Sequence, residues 1–377
     1  MNKGNILILM SGGTTSVINR TLKGIVDRTK KISKKIKIYS GDPGIEGVLQ
    51  NKFIEVTKFS KNKINDLLIT PGSHFIGTTR IKKLNQDEIK ILNLNLLKKN
   101  ITNIVNIGGN GTLQQTIDLD NKLKNFSFIA CPKTVDNDLG DIYFKKMYTN
   151  PGFGTCVKVW NFFLKMINLE NQGASSHDKV IISQTFGRDT GFICGSIRFC
   201  DKKRKLPIML LLPEDKQSFK KILKHVKHKI SSHKRLMIFI SEGYKLGDIK
   251  PKYDKSGQVM FGSSGSSNAQ ILCNKLNSKG IQSRIFNPTI LQRVFNFDNK
   301  ILSQKDSKLA YDIGAKAIDF LQKSNKSFLL GLNSSSKIIK ISFKDCKNFT
   351  RRMPDKFILK GKFDVSNSYI KYLKKII

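Results

Sequence analysis

Short apolar runs alternate with amphipathic stretches along the chain, the pattern of a layered α/β protein with mostly parallel strands. Residues 5–10 predict a buried strand, residues 11–16 a loop, and the stretch from Val17 a helix with Ile18, Leu22, Ile25 and Val26 on one face. The unit recurs. Residues 101–107 predict a strand, 108–112 a turn and 113–124 a helix, and residues 126–130 a strand that runs into Cys131-Pro132-Lys133-Thr134-Val135-Asp136-Asn137-Asp138. Farther on, strands are predicted at 179–184, 207–212 and 236–241, and a helix at 218–233. Polar clusters fall at the carboxyl ends of the strands, where open α/β sheets place their ligands. No linker rich in Pro or Ser divides the chain, residues 253–267 read as a surface loop rich in Gly and Ser, and no internal repeat stands out. Any domains are therefore expected to be interleaved, with the chain crossing more than once.

Two glycine loops, Ser11-Gly12-Gly13 and Gly108-Gly109-Asn110-Gly111-Thr112, each follow a strand and open a helix. Glycine there lets backbone N–H groups approach phosphate oxygens at a helix N-terminus, although a strand-to-helix turn also selects glycine for geometry alone. Neither loop matches GxxxxGK[ST] or GxGxxG. In Pro132–Asp138 a lysine beside two carboxylates supplies a cation for phosphoryl oxygens, a base for a hydroxyl and an anchor for Mg²⁺; the alternative is an Asx-rich turn. Arg80, Arg188, Arg284 and Arg293 lie at strand or loop ends and suit bidentate contact with phosphate, or else are solvated charge. His225, His228 and His233 fall on one Lys-rich helix and read as a solvated face rather than a metal site.

Charge complicates this picture. The 377 residues, enough for two to three domains, carry 67 Lys and Arg against 28 Asp and Glu, a net charge of +39. That excess invites nucleic acid or an acidic membrane as partner. The basic residues are nevertheless scattered, with no zinc-finger or helix-turn-helix signature, as a compositional bias would leave them. The segment 337–377, with 12 Lys and Arg against 3 Asp, is where an additional binding face would be sought. Six cysteines, Cys131, Cys156, Cys194, Cys200, Cys273 and Cys346, include no CxxC pair and read as reduced, mostly buried thiols in a cytosolic protein. The first apolar run is too short for a signal peptide, and the longest are strand-sized, so no membrane span is expected.

In order and spacing, Gly12-Gly13, Gly77-Thr78-Thr79-Arg80, Gly108–Thr112, Pro132–Asp138, Phe186-Gly187-Arg188, Ser241-Glu242-Gly243 and Leu291-Gln292-Arg293 resemble the 6-phosphofructokinases, from Ile6 to about Leu321. The resemblance implies two layered, Rossmann-like α/β domains with the active site in the cleft between them. One would take residues 1–145 plus roughly 294–340 and the donor phosphate, the other 146–293 plus roughly 341–377 and the sugar phosphate. It further implies Mg²⁺-dependent phosphoryl transfer to the 1-hydroxyl of fructose 6-phosphate in the cytoplasm, by a homodimer or homotetramer. Asp136 matches the catalytic base, with Thr134, Val135 and Asp138 around it in the substrate and metal region. Phe186, Gly187 and Arg188 match the segment that holds the sugar phosphate, where Met-Gly-Arg is commoner. Glu242 matches a sugar-hydroxyl ligand and Arg284 and Arg293 match 6-phosphate ligands, while Lys179 stands where an Arg often reaches in from a neighbouring subunit. Gly12, Arg80, Gly109 and Thr112 match the donor side, and Asn110 stands at a metal-side position where Asp is common.

Lys133 accompanies pyrophosphate use in this family, whereas Gly111 is the residue found with ATP. The resemblance therefore leans to reversible transfer from pyrophosphate, with an ATP-dependent enzyme as the alternative. A remoter alternative is a basic nucleic-acid-binding protein on a degraded kinase fold; together, Asp136, Asp138, Arg188, Glu242 and Arg293 argue against it. Neither nucleic acid nor a membrane is expected as partner.

Overall fold

The computed structural model describes residues 4–67, 72–80, 83–246, 267–294 and 302–377. The expected Gly/Ser-rich loop at 253–267 lies outside them except for Ser267, whose side chain caps the helix Asn268–Asn277. The chain divides into two compact units of three segments each. Unit 1 comprises 1–134, 139–155 and 294–350, and unit 2 comprises 135–138, 156–293 and 351–377. The borders expected near 145 and 340 thus lie later in the chain. Two bridges, Leu139 to Thr350 and Met147 to Leu332, tie residues 139–155 to unit 1. Leu139, Met147, Cys346 and Phe349 also share one apolar cluster there.

Unit 1 is built on a seven-stranded sheet: β1 (Asn5–Met10), β2 (Ile38–Gly41), β3 (Phe53–Glu55), β4 (Ile101–Gly108), β5 (Ser127–Pro132), β10 (Phe328–Leu332) and β11 (Ile338–Ile341). Their order is β11-β10-β5-β4-β1-β2-β3. Only the outermost pairs, β2 with β3 and β10 with β11, are antiparallel. Unit 2 has a four-stranded, fully parallel sheet of β6 (Val180–Thr185), β7 (Ile208–Leu211), β8 (Leu236–Ser241) and β9 (Ser283–Ile285), in the order β7-β8-β6-β9. The central strands β6 and β8 are buried along their whole length and β1 in all but its first residue, each with an apolar run at its core, as parallel strands covered on both faces must be.

In unit 1 the helices Ile18–Ile32 and Gln304–Lys323 approach backbone to backbone. A Cβ on Gly24 would lie 2.1 Å from the Tyr311 carbonyl oxygen, and one on Gly314 would lie 2.1 Å from that of Thr21. The buried Asp306 carboxylate accepts hydrogen bonds from the N–H groups of Gly152 and Thr155 and from the Thr155 hydroxyl. Burial raises its pKa.

The helix Phe219–His233 of unit 2 is capped by Ser218. His228 and His233 on it are exposed, while His225 is half-buried with its ring 4.8 Å from that of Phe363. All six cysteines are free thiols, and only Cys200 is not fully buried. Among the described residues no helix is long and apolar enough to cross a membrane.

Gly24→Ala or Gly314→Ala must push these two helices apart. Each is expected to cost at least about 1–3 kcal/mol of stability, read as a lower denaturation midpoint by circular dichroism. An unchanged midpoint would show that the crossing relaxes freely.

Candidate active site

Because β5, β4 and β1 are parallel neighbours, the loops that leave their carboxyl ends emerge side by side. They carry Lys133, Gly109 and Gly12. Gly12 has φ +80° and donates its N–H to Thr79 O at 3.1 Å, while its own carbonyl accepts from the Thr78 hydroxyl at 3.1 Å. Lys133, only 4% exposed, donates from Nζ to Gly13 O at 2.6 Å and Ser11 O at 3.3 Å. A Cβ on Gly12 would lie 3.7 Å from that ammonium, so the cation sits beneath the glycine loop. Ser11 and Thr112 hydroxyls are 2.6 Å apart. Arg80 is exposed and follows Thr79, which bridges Ser11.

One expectation is corrected here. The helix after β4 begins at Asn110 rather than Leu113, with Gly109 as its extended N-cap. Asn110, Gly111 and Thr112 are thus its first turn, whose N–H groups lack intrahelical acceptors and suit an anion. Thr134, the last residue of this group, is buried and donates its N–H to Pro151 O at 3.1 Å.

Unit 2 assembles a second cluster in the same way. Thr185 ends β6 opposite Ser241 at the end of β8, which places the Phe186-Gly187-Arg188 loop beside Glu242. The Glu242 N–H donates to Thr185 O at 3.0 Å, and the Arg188 N–H donates to Glu242 Oε1 at 2.8 Å. Arg188 Nε lies 3.7 Å from Asp136 Oδ2, an ion pair in which the Asp136 side chain is 14% exposed. Arg188 adopts φ +49°. No side chain fits at Gly243, where a Cβ would lie 1.9 Å from Arg188 O. Val135 is buried and Asp138 is half-buried.

Sequence reasoning missed three residues that hold this cluster. Thr190 donates its hydroxyl to Asp136 O at 3.3 Å and to Gly187 O at 2.9 Å. Gln292 Oε1 accepts from the Phe186 N–H at 2.9 Å and from the indole N–H of buried Trp160 at 3.1 Å. Gln292 stands next to Arg293, whose guanidinium lies 5.5 Å from the centre of the Phe186 ring. Gln292 lies inside the Leu291-Gln292-Arg293 motif and Thr190 two residues beyond Arg188, whereas no named motif adjoins Trp160.

Two of the named residues do not join the cluster within the chain. Lys179 is exposed and immediately precedes β6, and Arg284 pairs in register with Ile181 near that strand's start. The six residues of β6 separate Lys179 from Phe186, a span of about 20 Å, and four of them separate the level of Arg284 from it, about 13 Å. Arg284 instead makes ion pairs with Glu170 and, at 3.3 Å, with Asp178.

Burial, and then the negative charge of Asp136, push the Glu242 carboxyl up to about 8, against the opposing effect of the Arg188 N–H and guanidinium. At neutral pH Glu242 is thus mostly protonated, and its O–H is a donor. Among the described residues no group of three or more His, Cys, Asp or Glu side chains is arranged to hold a metal ion.

The family model described as phosphofructokinase matches residues 5–321. The pyrophosphate–fructose 6-phosphate 1-phosphotransferase of Xanthomonas campestris is 26% identical, over all of this chain and 92% of its own length. The ATP-dependent 6-phosphofructokinase of Oceanobacillus iheyensis is 23% identical, over 74% of this chain and 86% of its own. Among solved structures, the pyrophosphate-dependent phosphofructokinase from Nitrosospira multiformis superposes with a TM-score of 0.86 at 24% identity, covering 100% of this chain and 92% of that one.

The raised pKa of Glu242 carries a sign. The folded state holds this proton up to about pH 8 whereas the unfolded chain releases it near 4.5, so the group's contribution to stability falls as pH rises through that window. Glu242→Gln should flatten this part of the stability–pH curve. Denaturation midpoints measured from pH 5 to 9 for both proteins check it, and parallel curves would refute the assignment.

Proposed function

Because the chain belongs to the phosphofructokinase family, we propose that it transfers a phosphoryl group from pyrophosphate to the 1-hydroxyl of fructose 6-phosphate, giving fructose 1,6-bisphosphate and phosphate. The observation that carries the reading is the Asp136 carboxylate, 3.7 Å from the Arg188 guanidinium and on the same cluster as Glu242. Asp136 takes the proton of the attacking hydroxyl. Arg188 and Arg293 hold the sugar phosphate, with Phe186 and Gly187 shaping its seat. Glu242 hydrogen-bonds a sugar hydroxyl, and Thr134, Val135 and Asp138 line the approach. On unit 1, Gly12, Gly109, Thr112 and Arg80 receive the donor phosphates, and Lys133 supplies the positive charge beneath them. Pyrophosphate carries little more transfer potential than the product, so the reaction runs both ways.

Mg²⁺ takes most of its ligands from phosphate oxygens and water in such sites. The amide of Asn110, half-buried in the first turn of its helix, fits an ion that arrives with those ligands rather than one held in a protein cage. When bound, the ion neutralises charge on the donor oxygens. Lys179 and Arg284, at the far ends of their strands, serve the sugar phosphate of a second copy, in a homodimer or homotetramer. The reduced thiols and the reaction are those of a cytoplasmic enzyme.

Gly111 favours one competing reading, use of ATP, because no carboxylate stands there to repel a longer donor. Purified protein given fructose 6-phosphate, Mg²⁺ and either donor decides between them, and turnover with ATP but not with pyrophosphate would overturn the choice of donor. Asp136→Asn is expected to lower kcat by about 10²–10⁴, and Lys133→Met to lower pyrophosphate-driven kcat on the order of 10²–10³. Gly111→Asp should depress any ATP-driven rate, and an unaltered rate would remove that residue from the account of donor choice.

A further inference from the structure

The C-terminal segment of unit 2, which the named motifs do not reach, closes on the residue between the two loop carboxylates. Asn137 is fully buried with φ +58°, a left-handed conformation that asparagine adopts more readily than most non-glycine residues. Its side chain is held at both ends. The amide nitrogen donates to the Tyr372 hydroxyl at 2.8 Å, and Oδ1 accepts from Arg351 Nη2 at 2.9 Å. The same guanidinium donates from Nε to the Asn137 carbonyl at 2.9 Å, and the Arg351 N–H donates to Asp138 O at 2.8 Å. The Asn137 side chain and the peptide planes on either side of Asp138 are therefore fixed from outside the loop.

The two clamping residues are themselves immobilised. Arg351 is 2% exposed, with its guanidinium 5.8 Å from the centre of the Phe192 ring. Tyr372 packs among Phe357 at 5.4 Å and Tyr369 at 5.9 Å between ring centres. The segment also reaches the Arg188 loop. Glu214 Oε1 accepts from the Met353 N–H at 2.9 Å and from the Gly191 N–H at 3.0 Å, and the Tyr369 hydroxyl donates to Phe192 O. One stretch of chain thus fastens both loops whose side chains form the Asp136–Arg188 pair.

We propose that Arg351 and Tyr372 are positioning residues for phosphoryl transfer, which aim the Asp136 carboxylate by pinning Asn137 from the C-terminal segment. The inference rests on the reading of Asp136 as the base. Proton abstraction tolerates little misplacement, whereas substrate is held by other groups, so loosening the clamp should lower kcat and leave KM alone.

The test uses the full chain with fructose 6-phosphate, Mg²⁺ and pyrophosphate. Tyr372→Phe removes one hydroxyl and keeps the packed ring; it should lower kcat about tenfold, with both KM values within about twofold of the parent and a denaturation midpoint lowered only as far as the loss of one buried hydrogen bond takes it. Arg351→Lys keeps the charge but loses the fork and should cost more. If it does not fold, Tyr372→Phe decides alone. In an Asp136→Asn background neither substitution should lower the residual rate further, because no carboxylate remains to be aimed. Parent-like kcat in both variants beside a disabled Asp136→Asn would overturn the proposal, as would equal losses in the Asp136→Asn background, which mark a structural role. A fully active Asp136→Asn would instead overturn the assignment of the base.

Discussion

Parallel strands release their chains at one edge of a sheet, and everything chemical in this protein depends on that constraint. Met10 lies opposite Ile107 and Gly108 opposite Pro132, so Gly12, Gly109 and Lys133 follow three neighbouring strands at the same register. In unit 2 the pairing of Thr185 with Ser241 does the same for Phe186 and Glu242. A slip of one residue would turn every buried side chain of a strand to the opposite face. The continuous burial of these strands therefore fixes the positions of the loop residues as firmly as it fixes the core.

Placing loops side by side also forces like charges together. Asp136 and Glu242 converge on one guanidinium, that of Arg188. Two buried anions around one cation are unfavourable, and the proton retained by Glu242 relieves the conflict. On the proposed function the two carboxyl groups then take different tasks, Asp136 as acceptor and Glu242 as donor. The lysine-rich composition has little part in this, because the cations that matter are held by backbone. Lys133 is fixed by the carbonyl oxygens of Ser11 and Gly13. Arg188 is fixed by a left-handed backbone turn against Gly243. A net charge of +39 can concentrate anions near the surface, but it cannot orient them.

Strands were legible because burial on both faces leaves uninterrupted apolar runs: β1 and β8 exceed those runs by one polar residue each, Asn5 and Ser241. Residues 110–112 were read as turn because Asn, Gly and Thr are weak helix formers; the cap at Gly109 and the tertiary bond from Thr112 to Ser11 override that preference. Motif residues at the strand ends were legible one by one. The partners that fix them were not, because each comes from a remote part of the chain. Asn137 is held by Arg351 and Tyr372, and the contact of Gly24 with Tyr311 joins helices at opposite ends of unit 1's sequence. The distance of Lys179 and Arg284 from the Arg188 cluster of their own chain has a simpler cause. Both flank site motifs in sequence, but a strand's length carries them to the opposite edge of the sheet.

Lys133 and Gly111 pull the choice of donor in different directions only if specificity is treated as one quantity. It is a difference of affinities, set by attraction to one donor and by repulsion of the other. The Lys133 ammonium, directly beneath the Gly12 loop, attracts any phosphate seated there, and it matters most for pyrophosphate, which has no nucleoside to contribute binding energy. Gly111 concerns repulsion alone. In the first turn of the Asn110–Lys122 helix, a carboxylate at that position would put negative charge where N–H groups face the donor, and glycine leaves the place neutral. On the proposed function, Lys133 supplies the attractive half of a pyrophosphate site and Gly111 withholds the repulsive half, an arrangement that would favour the small donor while leaving the larger one weakly opposed.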